Sequence, residues 1–92
     1  MGWKALELLQ NHPNPFDEQT VISVRKNAPI DFKEAYILIV DGTGREIERI
    51  PLTLEADLNE VRFVHGFHAR GTYIYSLVVD GKTLGSKRMV LE

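Results

Sequence analysis

Apolar residues recur at every second position along most of this chain and almost nowhere at the 3.6-residue helical period. In residues 20–25, Ile22 and Val24 share one face and Ser23 and Arg25 the other, the alternation of a half-buried strand. Residues 35–41 form a second run, with Ala35, Ile37 and Ile39 on one face, and Gly42-Thr43-Gly44 punctuates it. Residues 45–50 alternate around Ile47, and Pro51 ends or edges that strand. Residues 59–65 place Val61 and Phe63 opposite Arg62. Residues 72–80 align Tyr73, Tyr75, Leu77 and Val79, and Asp80-Gly81 is the strongest hairpin signal in the chain. Residues 82–91 read as a closing strand carrying Met89 and Leu91, and residues 5–9 supply a candidate seventh strand. A helical turn over 3–10 is stopped by Pro13 and Pro15, and 52–58 has room for one turn at most. The pattern predicts an all-β domain, a seven-stranded sandwich.

Composition narrows the class without naming a function. A chain of 92 residues makes one domain. The absence of cysteine excludes a disulfide-stapled mini-protein and any thiolate metal site. Eleven basic against thirteen acidic residues argue against nucleic acid as the main partner. No apolar run approaches the roughly 20 residues of a membrane-spanning helix, and no leader-like charged and apolar regions are present. Met1-Gly2 reads as an added start, and Leu91-Glu92 as either native or left by cloning.

Candidate chemistry is sparse. His65 and His68 stand three apart, which on a strand points them to opposite faces, and His12 is distant; they read as surface or loop histidines, not metal ligands. Asp41-Gly42-Thr43-Gly44 has a superficial likeness to the Asp-Thr-Gly turn of aspartic proteases, but that chemistry needs two carboxylates sharing a proton. One such turn reads as a strand connection in which glycine supplies φ > 0. No phosphate loop, nucleophile elbow or paired carboxylate is visible, and no cofactor is implied. The aromatics are Trp3, Phe16, Phe32, Tyr36, Phe63, Phe67, Tyr73 and Tyr75; most fit a core, and a buried Tyr73 or Tyr75 calls for a tyrosine-corner type of hydrogen bond. Tyr36, Leu38 and Val40 lie opposite Ala35, Ile37 and Ile39, so that strand is apolar on both faces and offers a contact patch.

Four blocks, taken in order, resemble a known family. Gln10-Asn11-His12-Pro13-Asn14-Pro15-Phe16, followed by Thr20 and Ile22, is similar to the opening Leu-x-Gln-Asn-x-Pro-Asn-Pro-Phe, then Thr-x-Ile, of the C-terminal sorting domain (type A) of the Bacteroidetes type IX secretion system. Asp41, Gly44 and Arg45 match its Asp-x-x-Gly-Arg, residues 71–77 its Gly-x-Tyr-x-Tyr-x-Leu, and residues 87–91 its terminal Lys-Lys-Met-Val-Leu. The chain departs from the pattern at 26–29, at Val40 where tyrosine is usual, and at 53–57.

The resemblance implies an immunoglobulin-like seven-stranded antiparallel β-sandwich over residues 6–92, with 1–5 as linker or added residues. It implies a removable signal on a larger exported protein, not an enzyme, in the periplasm in transit to the outer membrane, cell surface or exterior. Its partners would be the outer-membrane translocon, a surface sortase and the fused cargo. Gly71, Tyr73, Lys87, Arg88, Met89 and Val90 are the expected recognition residues; the block from Gln10 to Phe16, with Asp41, Gly44 and Arg45, is expected to be architectural. Removing residues 87–92 is then expected to block export without unfolding the sandwich. Read without the family, Pro13 and Pro15 make a stiff lead-in pinned by Phe16, Asn11 and Asn14 bond nearby backbone, and Gly71 admits a bend. An adhesion or glycan- or protein-binding module of the same class, using Tyr36, Leu38 and Val40, remains the alternative. An open last strand and that apolar face would also allow a weak dimer by strand addition.

Overall fold

The computed structural model describes residues 5–92; Met1–Lys4, and with them Trp3 and most of the expected linker, lie outside the described residues. The described residues form seven strands and no helix: β1 (Leu6–Leu8), β2 (Gln19–Lys26), β3 (Ala35–Val40), β4 (Glu46–Pro51), β5 (Leu58–Val64), β6 (Gly71–Val79) and β7 (Lys82–Leu91). They form two antiparallel sheets, β1-β2-β5 and β4-β3-β6-β7. The fold is the expected β-sandwich, with three strands facing four. Strand β4 pairs with β3, so it joins the sheet that holds β6 and β7.

The core follows from the alternation. Thr20, Ile22 and Val24 of β2, Phe63 of β5, Ile37 and Ile39 of β3, Tyr73, Tyr75 and Leu77 of β6 and Met89 and Leu91 of β7 point between the sheets and are buried. Asp80 and Gly81 both have positive φ, +49° and +81°, and Val79 pairs with Lys82, so a two-residue turn of the primed type joins β6 to β7.

Residues 52–57 contain no helical turn; Leu52 and Leu54 drop into the core, Leu54 at φ +55°. The Asn59 side chain holds this loop, accepting from Ala56 N–H at 3.1 Å and donating to Ala56 C=O at 2.8 Å. Most of the aromatics in the described residues are at least partly buried, whereas Phe67, in the loop after β5, is fully exposed.

The registers fix which ends lie together. Leu6 pairs with Lys26 at the end of β2, and Gln19 at its start pairs with Val64. Phe16, just before β2, pairs in parallel with Leu91, which lies opposite Gly71. Ala5 and Glu92 therefore lie at opposite poles of a body 36 Å long.

Candidate functional site

Residues 10–16 cross from one sheet to the other. His12 exchanges backbone hydrogen bonds with Val21 of β2, and Phe16 then donates its N–H to Val90 C=O at 3.0 Å and accepts from Glu92 N–H at 2.8 Å. Between them the segment is non-helical, as expected, and bends over residues 13–15; both X–Pro bonds, before Pro13 and Pro15, are cis. The Pro13 carbonyl accepts from Asn11 Nδ2 and the Thr20 hydroxyl, as expected of a local Asn11 bond. Asn14 departs from that expectation: its side-chain oxygen accepts Val90 N–H at 3.0 Å, 76 residues away. Gln10 Nε2 likewise donates to Arg88 C=O at 2.8 Å. Phe16 anchors the strap, 2% exposed, with its ring 6.0 Å from that of Phe63.

Buried tyrosines tie the strap down. The Tyr75 hydroxyl donates to Leu9 C=O and accepts from Asn11 N–H, both at 2.7 Å. Burial pushes its ionisation up to about 12, against the opposing pull of the Asn11 N–H. The Tyr73 hydroxyl donates to Ala69 C=O four residues upstream, the tyrosine-corner bond the buried pair called for.

The Asp41 turn lies at the same pole as the end of β7. One Asp41 oxygen accepts from Thr43 N–H, the Thr43 hydroxyl and Arg45 N–H, and the other lies 3.3 Å from Arg45 Nε. The Thr43 hydroxyl and then the Arg45 N–H hold this carboxyl below the usual range. Gly44 has φ +88°, the conformation the turn requires. The carboxylate is thus spent on its own turn, as the strand-connection reading has it. Across a shallow groove lie Ala69, Arg70, Gly71 and Thr72, and Arg70 Nη1 donates to the main-chain oxygen of Glu92. Gly71 has φ +143° with open space around it, so backbone conformation and not crowding selects glycine there.

All four blocks thus have members at the Glu92 pole. The expected recognition residues divide there. Gly71 and Arg88 are exposed, and Lys87 and Val90 half-buried. Tyr73 and Met89 are in the core, at 4% and 0% exposure, where no partner reaches them in the folded domain. Lys87 lies across from Tyr75 on the inward side of an edge strand, a position that discourages further strand pairing. Met89 and Leu91 fill the core, so removing residues 87–92 would take two buried side chains with it and should destabilise the sandwich, which goes against the expectation of an intact fold.

Arg70, and the part Asp80 plays beyond its turn, left no sign in the sequence. Asp80 accepts from Lys33 N–H at 2.8 Å and Glu34 N–H at 2.9 Å, which clamps the loop before β3. Both side chains bond backbone groups distant in sequence, and no local motif marks such pairs.

The remaining candidates are dispersed. His65 and His68 lie in the loop after β5; His65 Nδ1 is 2.9 Å from Asp17 C=O, and His68 stacks on Phe63 with ring centroids 5.1 Å apart. Among the described residues no group of side chains could hold a metal ion. Tyr36, Leu38 and Val40 line the outer face of the central strand β3, each half-exposed, with the Arg49 guanidinium 4.8 Å from the Tyr36 ring. No helix is long and apolar enough to cross a membrane among the described residues. No protein-family model matches the chain, and no curated protein matches it closely enough to count as a relative.

Proposed function

We propose that this chain is a C-terminal sorting domain of the type IX secretion system, a folded signal that a translocon reads at the outer membrane and a surface sortase removes from its cargo. The observation that carries the reading is the bonding of the first resemblance block to the last: Gln10 to Arg88, Asn14 to Val90, and Phe16 to Val90 and Glu92. Blocks that share no local structure meet at one pole, as expected if the family pattern encodes one surface. On this reading the chain has no catalytic role. Gly71, Lys87, Arg88 and Val90 are the reachable recognition residues, while Tyr73 and Met89 hold them in place. Cargo would be joined beyond Ala5, at the opposite pole.

The test is a fusion of residues 1–92 to the C-terminus of a periplasmic reporter, in a host with this secretion system. The reporter should reach the surface or medium with the domain removed. Retention in the periplasm, while an established signal of the family exports the same reporter, would overturn the proposal. The half-exposed stripe of Tyr36, Leu38 and Val40 favours one second reading, an adhesion module at the cell surface. That reading expects ligand binding lost in Leu38→Asp and no export of the fusion.

A further inference from the structure

β1, β5, β4 and β7 form the edges of the two sheets, and three of these edges are guarded against a further strand. β1 has only three residues. The ladder of β4 with β3 is bulged, and β4 finishes in Pro51. The ladder of β7 with β6 is bulged too, Lys87 turns inward, and the strap runs along residues 88–92. β5 has none of these guards. Its seven residues run in unbroken register with β2. Lys26 N–H donates to Asp57 C=O and His65 N–H to Glu18 C=O, both at 2.7 Å, and these bonds bracket that register. Asn59, Val61 and Phe63 therefore turn their backbone groups to β2. Leu58, Glu60, Arg62 and Val64 turn theirs to the open edge, and all four are exposed.

We propose that β5 is an interface between two copies of this chain, paired edge to edge and antiparallel about a two-fold axis at Val61; the inference stands apart from the sorting-domain reading. The strand is complementary to itself. In that register Leu58 falls opposite Val64 of the second copy and Glu60 opposite Arg62, and the symmetry repeats each contact. The same four residues carry the outward N–H and C=O groups, so backbone and side chains require one register. Leu58 and Val64 are 46% and 52% exposed. Neither Glu60 nor Arg62 has an ion pair among the described residues. Sliding the pair by two residues sets Glu60 against Glu60 or Arg62 against Arg62, which like charge disfavours. One residue further out, Asp57 falls opposite His65. Around the ends stand Lys26 and Arg25, the latter 4.0 Å from Glu7, against Asp17, Glu18 and Glu55. The ends are thus acidic and the ladder short, so the dimer is weak and forms at high protein concentration.

Sedimentation equilibrium over a concentration series tests the interface, using the full chain, Glu60→Arg, Arg62→Glu and the double exchange. The unaltered chain should dimerise as concentration rises. Each single exchange sets like charges opposite one another and should weaken association several-fold, with an unchanged melting temperature in dilute solution. An equimolar mixture of the two single variants restores opposite charges at both positions and should associate as the parent does, as should the double exchange. In the unaltered chain, amide exchange at Leu58, Glu60, Arg62 and Val64 should slow with concentration, while Asn59, Val61 and Phe63 stay as they were. A monomer at every concentration up to the solubility limit overturns the proposal. So does a dimer that the single exchanges leave intact, which places the contact on another edge, and so does a mixture that stays monomeric.

Discussion

The side-chain oxygen of Asn14 accepts the backbone N–H of Val90 at 3.0 Å, so a residue between two prolines completes the edge of the last strand. The bond replaces a ladder partner that β7 lacks on that side. Replacing Asn14 with alanine removes the acceptor at an exposed position, which costs about 0.5–1.5 kcal/mol. Urea unfolding should show that loss, and amide exchange at Val90 should accelerate more than at Tyr75.

Tyr75→Phe should cost more. It leaves the Asn11 N–H and Leu9 C=O without their shared hydroxyl in a buried place, a loss of about 1–3 kcal/mol. The pH dependence has a definite sign. The folded-state value is raised to about 12 from 10.0, so the folded protein holds the proton more tightly than the unfolded chain. The stability linked to it is complete below pH 10 and falls as pH rises toward 12. Alkaline unfolding curves should be shallower for Tyr75→Phe, though not flat, since burial also raises Tyr73.

At the opposite pole, Asp80 combines a left-handed backbone with two accepted N–H bonds. The Glu34 and then the Lys33 N–H hold its carboxyl below 3.8, so its contribution is present above that value and lost as pH falls through the folded-state value. Asp80→Asn keeps an acceptor oxygen and tolerates positive φ, whereas Asp80→Ala loses both. Denaturant midpoints near neutral pH should fall further for alanine than for asparagine, and both variants should show a smaller drop on acidification than the parent.

Met89 and Arg88 are neighbours with opposite fates. Met89→Ala opens a cavity at a fully buried site and should cost about 2–5 kcal/mol, while Arg88→Ala should stay within about 0.5 kcal/mol. Thermal melts of the two proteins would decide it. Export assays on Arg88→Ala then report on recognition, whereas Met89→Ala reports on folding.

The strands were legible because each buries one face, and alternation records that directly: Ile22 and Val24, Ile37 and Ile39, and Met89 and Leu91 all point inward as their spacing predicts. The two-residue turn at Asp80-Gly81 was equally plain, since few dipeptides accept two consecutive positive φ values. Leu52 and Leu54 were not legible as core, because they lie in a loop where alternation has no sheet to refer to. The partners of Asn14, Arg70 and Asp80 left no trace either, since a side chain bonded to distant backbone places no requirement on that residue's type. The exposure of Phe67 was not legible either: composition favours phenylalanine inside, and only the loop's path puts this one outside.

Ala5 and Glu92 leave the domain in opposite directions, and the strap runs parallel to β7 where Phe16 meets Leu91. Tension applied between the two termini slides these segments along one another instead of peeling them apart. The bonds from Gln10, Asn14 and Phe16 to Arg88, Val90 and Glu92 then share the load together, not in succession. Forced unfolding is governed by the barrier to breaking that set at once. The seam is a mechanical clasp, so a pull on the N-terminal side of the domain is transmitted to its far pole before the sandwich opens.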